Sequence, residues 1–175
     1  GRPGAVRWLV EQGAGPNAQD GDGNTPLHLA GLRGELGAAD LLRSLGAAID
    51  RPNKAGDAPL HLASLAGHEA VVRHFVARKA GLDVKNGLGN TPLHRAAFSR
   101  HREVVAALLA GGANPSLKND AGNNPLHLAV MVYRNADSVA LLVKAGAAID
   151  DVNAKRQTPL HAAAGYSWQA NAIEL

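Results

Sequence analysis

One heptapeptide, met five times at nearly constant spacing, constrains this chain more than any other feature. Asn24-Thr25-Pro26-Leu27-His28-Leu29-Ala30 recurs as Asp57-Ala58-Pro59-Leu60-His61-Leu62-Ala63 and as Asn90-Thr91-Pro92-Leu93-His94-Arg95-Ala96. Two further copies are Asn123-Asn124-Pro125-Leu126-His127-Leu128-Ala129 and Gln157-Thr158-Pro159-Leu160-His161-Ala162-Ala163. Their prolines stand 33, 33, 33 and 34 residues apart. A period in this range means stacked units, none of which can bury its apolar face alone. The 175 residues are thus about five periods rather than one domain-sized core.

Each unit reads as two short helices. Thr25 before Pro26 is an N-cap followed by proline at the first helical position, where a missing N–H costs nothing. Gly34 and Gly67 supply the permissive backbone that reverses the chain. A second helix carries Ala38-Ala39-Asp40-Leu41-Leu42 in one unit and Val71-Val72-Arg73-His74-Phe75 in the next. Gly46, Gly112 and Gly146 end that helix, and a turn such as Asn53-Lys54-Ala55-Gly56 starts the following unit.

With these motifs the sequence resembles the ankyrin repeat family over essentially its whole length. The resemblance implies an all-α repeat solenoid: antiparallel helix pairs linked by β-hairpin-like finger loops, with the first helices lining a concave face. One domain is expected over 1–175, with a partial repeat at 1–22, full repeats at 23–55, 56–88, 89–121 and 122–155, and a truncated repeat at 156–175. The chain opens on Gly1-Arg2-Pro3-Gly4 without a Met, as expected of a fragment. Several positions depart from the pattern. Ala58 lacks the capping hydroxyl, while Asn124 is a competent cap. Lys79 replaces a C-capping glycine, so that cap is either strained or displaced toward Gly81. Arg100 and Tyr133 stand for the glycine between the helices, and the extra residue of the fourth unit falls in the loop Val130–Ala136.

Composition narrows the chemistry. There is no cysteine, so disulfides, thiol catalysis and Cys-ligated metals are excluded. Only 3% of residues are aromatic, so the layers must be thin and built from Ala, Leu and Val. No apolar run approaches 18 residues and no signal peptide's apolar stretch opens the chain, which leaves the compartment open with a leaning to the cytoplasm. The row His28, His61, His94, His127 and His161 is not a metal site. Its members lie about a helix-pair thickness apart, near 10 Å, whereas zinc needs ligands near 2 Å. The resemblance implies instead that each histidine hydrogen-bonds within and between repeats. His68-Glu69 with His74 misses metalloprotease spacing, and the turn glycines open no phosphate loop. No catalytic residue, cofactor or metal is expected.

A first helix that buries Leu27, Ala30 and Gly31 turns Leu29, Leu32 and Arg33 to its opposite side. One apolar column therefore reads Leu32, Leu65, Phe98 and Met131, joined near the C-terminal end by Val132, Tyr133, Tyr166 and Trp168. Such a patch marks a partner site. The alternative is that these side chains pack under the fingers or against neighbouring repeats. Seven basic residues lie between Arg73 and Arg102 against Asp83 alone. Arg95, which replaces a groove leucine, and Arg100 are expected to select an acidic element, while the finger-tip residues Asp22, Lys54, Leu88, Asp120 and Lys155 tune specificity. The expected function is a protein-binding module: a monomer, with end-to-end contacts between copies as a variant, whose partner carries an apolar-plus-acidic segment. Two other readings are a recruiting arm of a larger enzyme or effector, and binding of nucleic acid or another acidic surface through the basic middle.

Overall fold

A helix begins wherever the repeat places Pro after an extended residue. The computed structural model of the chain describes residues 2–165. Thr25, Ala58, Thr91 and Asn124 all hold ψ near 165°, and the following prolines open α2 (Pro26–Arg33), α4 (Pro59–Ala66), α6 (Pro92–Phe98) and α8 (Pro125–Val130). The second helices are α3 (Leu36–Ser44), α5 (Glu69–Ala77), α7 (Arg102–Ala110) and α9 (Ala136–Lys144). α1 (Arg2–Glu11) and α10 (Pro159–Gly165) stand at the two ends. Among the described residues there are ten helices and no strand, and the fold is the expected helical solenoid.

The helices form two layers. α2, α4, α6, α8 and α10 pack side by side as one layer, and α1, α3, α5, α7 and α9 as the other. Between them the core repeats by column. Leu27, Leu60, Leu93 and Leu126 are buried in the first layer with Ala30, Ala63, Ala96 and Ala129. Leu42, Phe75, Leu108 and Leu142 occupy the second layer, with Ala47, Ala80, Ala113 and Ala147 at its exits. Alanine at every layer contact lets short helices approach closely, which accounts for the aromatic-poor composition.

The histidine row ties neighbours together. Nδ1 of His28 accepts the Thr25 N–H at 3.0 Å, which leaves Nε2 protonated, and Nε2 donates 2.8 Å to the Asp57 carbonyl of the next repeat. His61, His94 and His127 repeat the bond toward Asn90, Asn123 and Gln157 at 2.9–3.0 Å. Burial pushes all four rings below the usual imidazole range, His94 to about 4.

Among the described residues, four that are not glycine have left-handed backbone: Lys79, Arg100, Arg134 and Arg156. Lys79 itself takes φ +62°, so the helix end is strained in place and is not displaced to Gly81. The equivalent Gly46, Gly112 and Gly146 have open space where a Cβ would sit, which explains why a lysine is tolerated. The turn between α8 and α9 corrects the sequence alignment. Arg134, not Tyr133, takes the inter-helix glycine position at φ +54°, because the inserted residue precedes it. A Cβ on Gly34 or Gly67 would lie 2.5 Å from the ring of His68 or His101 in the next repeat. In the following repeat the residue at the histidine position is Asn135, a smaller side chain, which accords with a non-glycine residue at Arg100. His68 and His101 bond through Nε2 to the Leu32 and Leu65 carbonyls of the preceding repeat, and Asn135 makes the corresponding cross-repeat bond with its Nδ2, donating 2.7 Å to the Ala97 carbonyl.

Candidate functional site

The fingers are turns rather than hairpins of paired strands. In each, the first residue closes the loop onto the fifth, as in Asn53 N–H to the Asp57 carbonyl at 2.9 Å. Successive fingers bond edge to edge: Lys54 to Asp22, Gly87 to Ala55, Asp120 to Leu88 and Ala154 to Ala121, at 2.9–3.2 Å. An amide ladder runs beneath the tips. Asn53 Nδ2 donates to Asn24 Oδ1, Asn86 to Asp57, Asn119 to Asn90 and Asn153 to Asn123, at 2.6–2.9 Å. The fingers are therefore a rigid, preorganised edge. Asp22, Lys54, Asp120 and Lys155 are exposed on it, with Leu88 63% exposed, and Lys54 Nζ reaches back to the Gly21 carbonyl.

The apolar column is uneven. Leu32 and Phe98 are 40% and 55% exposed, whereas Leu65 and Met131 are half-buried. Arg33 is exposed, Val132 half-buried and Tyr133 exposed, with the Arg134 guanidinium 5.1 Å from the Tyr133 ring centroid. Tyr166 and Trp168 lie outside the described residues. The neighbouring column is more covered than the helical wheel implies: Leu29, Leu62 and Leu128 are half-buried and Ala162 is buried. Arg95 shows the cause, since from that column its side chain meets the root of the preceding finger.

Arg95 does not present a free charge. Its Nη2 donates to both oxygens of Asp57, at 3.0 and 3.2 Å, and Asp57 is 4% exposed. Asp57 is the acidic step in a ladder that carries Asn at residues 24, 90 and 123, and Arg95 supplies its counter-charge. Sequence reasoning missed Asp57. The signal was a coincidence of two exceptions: the repeat that replaces Asn with Asp is followed by the one that replaces Leu with Arg.

Three more of the basic residues have acidic partners. Arg73 pairs with Glu69 at 2.8 Å, Arg78 with Asp40 at 2.7 Å and Arg102 with Asp137 at 3.9 Å. Lys85 Nζ donates to the Lys118 carbonyl and Arg100 to the Tyr133 carbonyl. The acids lie outside the 73–102 window in sequence but beside it in space, so four of the seven basic residues of the run are charge-paired.

Among the described residues no helix is long and apolar enough to cross a membrane. The family model described as Ankyrin repeats (3 copies) matches residues 1–86, 45–119 and 108–175. No curated protein matches the chain.

Proposed function

Because the chain belongs to the ankyrin repeat family, whose repeats are generally protein-interaction modules, we propose that it holds an extended segment of a partner protein across the inner helices and finger edge, without catalysing a reaction. The observation that carries this reading is the apolar column over rigid fingers: Leu32 and Phe98 stay exposed in a fold that buries their Leu27 and Leu93 neighbours completely. An exposed apolar stripe on a preorganised scaffold loses little entropy on binding.

The protein-binding reading is preferred to the nucleic-acid one, since Arg73, Arg78, Arg95 and Arg102 each have an acidic partner within the chain. Selection from a random peptide display library provides ligands for the test. Substituting Phe98→Glu and Met131→Glu together is expected to weaken the selected peptides at least about tenfold while the far-ultraviolet spectrum and unfolding midpoint hold, since a desolvated apolar contact is worth more than one decade. Unchanged affinity in a folded double variant would remove the groove from the account.

A further inference from the structure

The groove is not uniform along its length. In four repeats the inner face carries a bulky side chain in each of two columns: Leu29, Leu62, Arg95 and Leu128 in one, and Leu32, Leu65, Phe98 and Met131 in the other. In the last repeat both columns shrink, to Ala162 and Gly165. The result is a hollow of about 350 Å³ between the fourth and fifth fingers, α8 and α10. Met131, Ala121, Ala162 and Gly165 give it an apolar lining, and Asn123, Gln157, Lys155 and His161 a polar one.

The polar atoms are sorted by the ladder. Asn153 Oδ1 accepts the backbone N–H groups of Lys155 and Gln157, so its Nδ2 must donate, and it donates to Asn123 Oδ1 and Gln157 Oε1. Each of these side-chain carbonyls is thereby used, which leaves Asn123 Nδ2 and Gln157 Nε2 as donors with no partner among the described residues. His161 accepts from the Thr158 hydroxyl through Nδ1 at 2.8 Å, as His28 does from Thr25. Its protonated Nε2 has no hydrogen-bond partner among the described residues. Lys155 Nζ has no acidic partner among the described residues, and no carboxylate lines the hollow. The site thus offers one ammonium and several unspent N–H donors over an apolar floor, and presents no free side-chain oxygen.

We propose that this hollow is the anchoring subsite of the groove and takes an Asp or Glu side chain of the partner segment, with an apolar neighbour of that residue against Met131. Charge complementarity selects the occupant, because a carboxylate accepts from several N–H groups at once and pairs with Lys155. The inference rests on the protein-binding reading above and deepens it by naming the partner chemistry. It also moves acid selection from Arg95, whose charge is used by Asp57, to the far end of the stack.

Peptide display against the wild-type chain and against Lys155→Glu tests the proposal. The expected result is enrichment of Asp or Glu at one fixed position by the wild-type chain, and its replacement by Lys or Arg with the variant. A wild-type-selected peptide should lose at least about tenfold in affinity on Glu→Gln or Asp→Asn substitution at that position, as expected for a charge-assisted bond. Ala162→Leu, which restores the leucine of three other repeats and fills the hollow, should weaken the same peptide while leaving folding intact. Selected peptides that lack the acid, or that bind Lys155→Glu equally well yet still lose affinity on Phe98→Glu with Met131→Glu, would overturn the subsite and leave the groove standing. A library that yields no binders at all would contradict both.

Discussion

Asp57 and Arg95 show how a single residue's cost is set by its neighbours. A carboxylate buried at a finger root needs charge compensation, and Arg95 provides it through two hydrogen bonds while leaving its own Nε buried without a partner among the described residues. Removing one member of such a pair strands the other. Arg95→Leu alone is therefore expected to cost about 2–3 kcal/mol, somewhat below the value for a fully buried pair because the arginine is partly exposed. Arg95→Leu with Asp57→Asn restores the residues found in the neighbouring repeats and should recover most or all of that loss. Urea unfolding of the two variants measures it. A double variant as unstable as the single one would mean that the pair is not the source of the cost. Neither residue's role was legible singly, because the contact spans 38 positions and joins two different columns of the repeat.

At the scale of elements, the histidine row makes the stack sensitive to acid. Desolvation by burial lowers the folded-state pKa of His28, His61, His94 and His127, partly offset by the carbonyl each ring meets in the next repeat. The unfolded chain therefore binds more protons as pH falls below about 6.5. Stability is intact above that value and declines toward about 4, where His94 itself protonates. His94 alone should remove on the order of 2 kcal/mol by pH 5. Unfolding midpoints at pH 7.5 and 5 read the drop, and His94→Gln should reduce the slope. A midpoint indifferent to pH over this range would show that the rings do not carry the coupling.

The same helices show what a sequence of repeats discloses. Column arithmetic located the helix pairs and the fingers, because Pro, Gly and His mark the same phase of each unit. It failed where the phase slips: one inserted residue moved the left-handed turn from Tyr133 to Arg134. It also could not show that Leu65 and Met131 are half-covered while Leu32 and Phe98 stand out, since helical spacing gives a direction and not the height of the surrounding finger roots. The basic run between Arg73 and Arg102 misled for a related reason: its counter-charges lie outside that window, at Glu69 in the same helix as Arg73 and at Asp40, Asp57 and Asp137 in neighbouring repeats.

For the whole molecule, the two layers divide the labour. Second helices spend their charged residues on one another, through Arg73–Glu69, Arg78–Asp40 and Arg102–Asp137. First helices and fingers keep apolar side chains and unspent donors on the opposite face. Recognition by a preformed surface of this kind needs no rearrangement of the repeats, so a bound segment should leave its mark on one layer only. Amide hydrogen exchange of the chain with and without a display-selected peptide tests this most directly. The account requires added protection along α2, α4, α6, α8, α10 and the fingers from Asp22 to Lys155, with α3, α5, α7 and α9 unchanged. Protection centred on the second helices instead would contradict it.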